Sequence, residues 1–239
     1  MPVFCIQSTP MVAQLVKLEA APDLVEQVYR TLLDAICDGT LAPGERLTQE
    51  DIAERLAVSR QPVLQALRLL KQDGFVLDAP GRGVLVAPLD AESIQHMYQV
   101  RTALDSLAAR LAAVRKARLD PALIETGRKA SNGRNVKAMI DADIAFHNAI
   151  YAASGNPSIQ QTAHQHWRHL RRVMGAVLQM SKRRTGIWDE HEAIAAAIAA
   201  GDGARAARLI EQHGQRASEN LGEQLADILN TQTTLGDKR

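Results

Sequence analysis

Cysteine is scarce: the 239 residues hold two, Cys5 and Cys37, in no metal-type spacing and no framework of bridges. That excludes a disulfide-stapled secreted domain and suits a reducing cytosol. Aromatic residues make up 3% against 46% apolar residues overall, the profile of an Ala- and Leu-rich helical chain. Charge of one sign is also missing: 28 Lys and Arg face 27 Asp and Glu, so bulk charge points to neither nucleic acid nor membrane. The longest apolar run, AIAAAIAA at 193–200, is too short to span a bilayer. The first residues lack the charged start and long apolar block of a signal peptide. They read as a flexible extension over 1–20, with Met11 as an alternative start. A cytoplasmic protein without membrane attachment is the expectation.

The length fits two domains, and the pattern changes near Pro88. Before it, LVEQVYRTLLDAICDG (24–39) carries apolar residues at helical spacing and ends at Gly39. Thr48 and Asp51 form a capping box that opens a short helix, QEDIAERLA. A second helix spans VSRQPVLQALRLLKQDG, with Ser59 as its cap, Pro62 in its first turn and Gly74 at its close. FVLD, APGRG and VLVAP then read as a hairpin. After Pro88 helices are expected at about 91–117, 121–131, 135–153, 157–182, 186–200 and 202–230, broken at LDP, SNG, SGNP, RRTG and GDG. The fold class is therefore mostly α: an N-terminal winged helix-turn-helix over 21–88, then an all-α antiparallel helical bundle over 89–230, and a tail over 231–239.

In the second helix Val63, Ala66, Leu67 and Leu70 share the face that must pack inward. The opposite face shows Gln61, Gln65, Arg68 and Gln72, with Ser59 and Arg60 at the start and Leu64 on the flank. Gln pairs with adenine and Arg with guanine or phosphate, so this face has major-groove chemistry. Gly81 and Gly83 around Arg82 make a tight wing tip that offers one cation to the DNA backbone or minor groove. Charge argues for caution, because residues 1–88 hold 8 Lys and Arg against 11 Asp and Glu, 8 − 11 = −3. Any amphipathic helix shows polar residues outward, and a protein partner stays open on the chemistry alone.

LAPGERLTQEDIAERLAVSRQPVLQALRLLKQDGFV resembles the N-terminal domain of the GntR family of bacterial transcription regulators, matching at Pro43, Gly44, Leu47, Val58, Ser59, Arg60, Pro62, Val63, Ala66, Leu67 and Gly74. The resemblance covers about residues 23–87 and implies that Arg60, the early recognition-helix side chains and the wing touch an operator. One departure stands out: the family's Arg-Glu is Leu64-Gln65 here. Leu64 against a thymine methyl, with Gln65 or Gln61 on adenine, is the expected change in base preference.

The bundle raises a second question. In DADIAFHNAIYA, Asp143 and His147 lie one turn apart on the stripe of Val136, Met139, Ile140, Ile150 and Tyr151. His191 shares a stripe with Ile187, Trp188, Ile194 and Ile198, and His213 shares one with Leu209, Ile210, Ala217 and Leu221. One carboxylate and three imidazoles thus face inward, where unpartnered polar groups are costly. A divalent ion satisfies all four at once. Hydrogen-bonded core histidines and a buried Asp–His pair are the alternatives, and spacing leaves them open.

The same segments resemble the FadR-type ligand-binding domain that follows the GntR winged helix: D-x-x-F-H at Asp143–His147, G-N-P at Gly155–Pro157, E-H-x-x-I at Glu190–Ile194, and His213 one helix later. In the metal-binding branch those Asp and His positions are the ligands, and all four are present here, over a resemblance running from about 90 to 229. The resemblance implies a divalent cofactor, and with no thiolate in the set Zn²⁺, Ni²⁺, Mn²⁺ and Fe²⁺ all remain open. An octahedral ion keeps two places for the carboxylate of a small organic acid. Arg101 in YQVRTALDSLAARLAA, matching an Arg of the family, is the candidate to grip it, ahead of Arg172 and His169.

The expected function is a homodimeric transcription regulator that binds a double-stranded, near-palindromic operator and responds to a small carboxylate effector. A hydrolase-like metalloenzyme using the same Asp and His residues is a rival, weakened by the absence of H-E-x-x-H and of an obvious Ser or Cys nucleophile. A direct metal sensor is the third reading.

Overall fold

The computed structural model describes residues 24–180 and 186–236. The expected extension over 1–20 and the RRT of the RRTG break lie outside the described residues.

Helix α1 (Leu24–Cys37) buries Val28, Tyr29, Leu32, Leu33 and Ile36, one face at a 3.6-residue period. Strand β1 (Arg46–Leu47) was too short for its sequence to announce. Helix α2 (Gln49–Leu56) is capped by Thr48, whose hydroxyl accepts from Asp51 N–H and donates to the Asp51 carboxylate. Helix α3 (Arg60–Gln72) buries Val63, Ala66, Leu67 and Leu70. Ser59 occupies its N-cap position with extended backbone, but its side chain makes no capping bond. The reason is local: an N-cap oxygen accepts from the second or third helical N–H, and Pro62 removes the third.

Strands β2 (Val76–Asp78) and β3 (Val84–Val86) form the hairpin, and β1 adds to it in the order β1-β3-β2, all antiparallel. Val76 pairs with Val86, and Leu47 with Val84. Gly83, at φ +87°, sits where a Cβ would lie 2.4 Å from the Leu47 carbonyl oxygen, so a glycine is required for β1 to join. These elements enclose one core of Val28, Leu32, Ile36, Leu47, Ile52, Leu70, Phe75 and their neighbours.

The remainder is helical: α4 (Ala91–Val114), α5 (Ala122–Asn132), α6 (Val136–Ser154), α7 (Pro157–Met180), α8 (Ile187–Ala200) and α9 (Gly203–Gly236). Asp90 caps α4 and Asn135 caps α6, while Gly155 and Gly201 end α6 and α8 in the left-handed region. The tail expected over 231–239 is helical as far as Gly236. Among the described residues the most extensive helix contact is α4 with α9. Small side chains permit it: Ala108, Ala109, Ala112 and Ala113 of α4 and Ala206 and Ala207 of α9 are fully buried, and a Cβ on Gly214 would lie 2.4 Å from Thr102 Oγ1. No described helix is long and apolar enough to cross a membrane.

The winged helix docks on α7. Arg168 donates to the Tyr29 hydroxyl and to Asp73 Oδ2 (3.1 Å), Arg171 to Asp34 (3.0 Å) and Arg172 to the Ala87 carbonyl. The HWRHLRR segment is thus an interdomain face, and Arg172 and His169, the secondary candidates for an effector, are engaged there.

His169 stacks on Phe75, with ring centroids 4.2 Å apart and planes 5° from parallel. Burial pulls His169 below its ordinary 6.5, against a hydrogen bond to the Asp73 backbone that raises it. A depressed histidine costs nothing above 6.5, where the ring is neutral folded or unfolded. As pH falls below 6.5 the unfolded chain binds the proton first, so stability falls until pH passes the folded value. The thermal midpoint is therefore expected to drop as pH falls below about 6.5, and by less in His169→Phe. An equal drop in both proteins removes this assignment.

Candidate functional site

Asp143 and His147 project from α6, His191 from α8 and His213 from α9, and all four are buried. One ligand atom from each lies within 4.8 Å of the others. Ligands about 2.1 Å from a shared ion are roughly 3–4 Å apart, so the set needs little adjustment to hold one. Asp143 Oδ1 is buried without a hydrogen bond, with His191 Nε2 at 3.4 Å. His191 Nε2 and His213 Nε2 face each other at 3.3 Å. A cation satisfies such an orphaned carboxylate oxygen and facing nitrogens together.

Second partners orient the rings. Glu190 Oε2 lies 2.9 Å from His213 Nδ1 and draws the ring proton there, leaving the Nε2 lone pair towards the cluster. Asp105 Oδ2 stands 3.4 Å from His147 Nδ1, and Arg101 Nη2 is 2.8 Å from His147 Nε2. Burial, with Arg101 beside it, holds His147 below its ordinary value, so it is a neutral imidazole at pH 7.

Arg101 and Asp105, one turn apart on α4, form a buried pair with Nε to Oδ2 at 3.2 Å. Burial pushes the Asp105 carboxyl up, but Arg101 and His147, with a hydrogen bond from Tyr151, hold it down at about 2. The Arg101 guanidinium also lies over Trp167, its carbon 3.8 Å from the ring centroid. Trp167 Nε1 donates to the Tyr151 hydroxyl at 3.1 Å, and that hydroxyl donates to Asp105. Sequence reasoning singled out Arg101 but missed Asp105, Tyr151 and Trp167 as its partners. The i, i+4 Arg–Asp spacing inside an otherwise Ala-rich stripe was the available signal.

A cavity of about 430 Å³ opens beside this cluster, with Arg101, Asp143, His213, Tyr98, Met174 and Trp188 among its lining residues. Trp188 is held there by packing: a Cβ on Gly127 would lie 1.9 Å from its ring, and its Nε1 donates to Ser131. Replacing a helical Gly by Ala ordinarily gains about 1 kcal/mol. Gly127→Ala is instead expected to cost about 1–3 kcal/mol by overpacking. A denaturation midpoint raised by this substitution contradicts the packing.

At the other end of the molecule, Arg60, Gln61, Arg68 and Arg82 are exposed, and Leu64 and Gln65 are half-buried on the outer side of α3. Arg60 pairs with Glu50 at 3.2 Å, an exposed contact that a phosphate easily displaces. Ser59 is exposed at the start of the helix. Gly81, at φ +86°, and Arg82 form the wing turn. Arg46 braces that turn by donating to the Arg82 carbonyl at 3.0 Å and to the Pro80 carbonyl. Sequence reasoning missed Arg46, because its strand is two residues long.

Residues 24–86 match the model of the gntR family of bacterial regulatory proteins, and residues 96–216 match the FCD domain. The HTH-type transcriptional regulator LutR of Bacillus subtilis is 31% identical over 212 residues, 74% of this chain and 92% of LutR. The regulator YdhC of the same organism is 30% identical over 145 residues, 59% of this chain and 65% of YdhC, just under two thirds of its length. A crystal structure of a GntR transcriptional regulator from Rhodococcus sp. RHA1 is 27% identical with a TM-score of 0.68, covering 82% of this chain and 96% of that one. These families and relatives are transcription regulators, which sets aside the metalloenzyme reading. With a winged helix at one end and a helical ligand-binding bundle at the other, the chain belongs to the GntR family of bacterial regulatory proteins, in the group whose C-terminal half is an FCD domain.

Proposed function

We propose that the chain is a cytoplasmic, homodimeric transcription regulator whose operator affinity is set by a small organic acid bound beside a divalent ion in the bundle. The observation that carries this reading is the buried convergence of Asp143, His147, His191 and His213, beside a cavity that Asp143, His213 and Arg101 line. These four residues would hold the ion, and Zn²⁺, Ni²⁺, Mn²⁺ or Fe²⁺ suits the donor set. When bound, such an ion supplies a Lewis-acid centre that attracts a carboxylate oxygen. His147 Nε2 has one lone pair, now facing Arg101 Nη2 at 2.8 Å. If His147 gives that lone pair to a cation, Arg101 is released to grip the effector carboxylate.

Helix α7 supports the coupling. Trp167 packs under Arg101, and the next residue, Arg168, holds Asp73, the C-cap of the recognition helix α3. A carboxylate that draws Arg101 away from Trp167 alters the support of α7, and α7 grips the DNA reader. Such an acid changes operator affinity only by binding the two arrangements differently.

Dimerisation is supported by α4. Val100, Leu107 and Val114 recur every seven residues on one exposed face, with exposures of 49%, 45% and 81%. A second copy covers such a stripe, and two winged helices then read two half-sites. On α3, Leu64, Gln65 and Gln61 select bases and Arg60 and Arg68 take guanine or phosphate, with Ser59 at the helix start and Gly81 and Arg82 of the wing against the backbone or minor groove.

Selection of operators from random duplexes tests the DNA half. Leu64→Arg is expected to shift the selected sequence at one position in each half-site, and an unchanged sequence removes Leu64 from base reading. Titration of carboxylic acids into the protein–operator complex tests the other half. Operator affinity unmoved by every acid leaves the ion a structural role.

A further inference from the structure

The effector's body, as well as its carboxylate, is written into the cavity, and we propose that it is a monocarboxylic acid with an apolar chain or ring. This rests on the reading of Arg101 as the carboxylate anchor. From the level of the ligand cluster the cavity wall runs outward along the helices. On α6 it passes from Asp143 to Met139, on α7 from Met174 to Leu178, and on α9 from His213 through Ala217 to Leu221. Ile187 and Trp188 of α8 close the same wall. The stretch from His213 to Leu221 rises roughly 12 Å along α9, enough to run beside a medium-length acyl chain.

Several of the polar lining groups are already engaged. Trp188 Nε1 donates to Ser131 Oγ at 2.8 Å, and Asn220 Oδ1 accepts from Gln224 at 2.9 Å. Arg128, the other cation among the described lining residues, is exposed and bonded to both Asp189 (2.6 Å) and Glu192 (2.8 Å). Among the described lining residues a second carboxylate therefore lies against thioether and hydrocarbon with no unengaged cation to meet it. A methylene placed there is removed from water, which strengthens binding about fourfold each.

The test is direct titration of the metal-loaded full chain, followed by calorimetry, with acetate, butyrate, hexanoate, octanoate, succinate, citrate and gluconate. The expected result is a dissociation constant that falls about fourfold per methylene from acetate to hexanoate, with succinate, citrate and gluconate at least tenfold weaker than hexanoate. Leu178→Gln is expected to flatten that slope and leave acetate unchanged. A flat series, or succinate, citrate or gluconate binding more tightly than hexanoate, overturns the apolar body while leaving Arg101 as anchor. Binding of none of the seven, or binding indifferent to Arg101→Met, overturns the anchor reading itself and the inference with it.

Discussion

Chelation of divalent ions is expected to lower the thermal midpoint of the protein by about 5–15 °C. A ligand that binds only the folded state, at a hundred to a thousand times its dissociation constant, stabilises by about 3–4 kcal/mol. In a protein of this size each kcal/mol moves the midpoint by about 2–4 °C. The expected effect is large because three histidines and one aspartate, buried on three helices, would lose a shared partner together. Burial of these groups is tolerable only where each polar atom has somewhere to direct its lone pair, which a shared ion would supply. Zn²⁺, Ni²⁺ or Mn²⁺ should restore the midpoint, whereas Mg²⁺, which prefers oxygen ligands, should not. His191→Ala should show a lowered midpoint that neither chelator nor added Zn²⁺ moves. A wild-type midpoint indifferent to chelation means that the four side chains satisfy one another without an ion.

The second large effect is at Arg101. Arg101→Met removes one member of a fully buried ion pair and leaves Asp105 charged with only His147 and Tyr151 beside it. Breaking such a pair from one side costs about 3–5 kcal/mol. Arg101→Met/Asp105→Asn deletes both charges, and Tyr151 can still donate to the side-chain amide oxygen at that position, so most of that stability should return. Carboxylate binding should not return. Loss of a charge-assisted hydrogen bond is worth about 1.5–3 kcal/mol, roughly ten- to a hundredfold in affinity. The double variant therefore separates two roles of one guanidinium, neutralising Asp105 and recognising the acid. If it binds acids as tightly as the wild type, Arg101 is a structural residue only.

Much of this was legible along the chain because helical periodicity is a strong signal. Asp143 and His147 sat in an apolar stripe and are buried, and Val63, Ala66, Leu67 and Leu70 formed the inner face of α3 as their spacing implied. What could not be read depends on long-range pairing. Asp105 looks like any acid on a helix until Tyr151 and His147 from α6 arrive beside it. Arg168, Arg171 and Arg172 look like a solvated basic run until Tyr29, Asp73, Asp34 and Ala87 are placed opposite. Strand β1 exists only because β3 is there to pair with it. Ser59 shows the converse: a strong local preference for capping is cancelled by a proline three residues later. The low aromatic content also had a meaning that composition hid. Of the eight aromatic residues, Tyr98, Phe146, Tyr151, Trp167 and Trp188 cluster on the ligand set and Arg101, so most of this scarce material is concentrated on the site.

The central claim is that Asp143, His147, His191 and His213 share one cation. Anomalous diffraction at metal absorption edges, on crystals of protein purified without chelator, tests it most directly. The account predicts one strong peak per chain within about 2.3 Å of all four side chains, and its loss in Asp143→Ala/His191→Ala. No peak at that position, or one ligated by other residues, contradicts it.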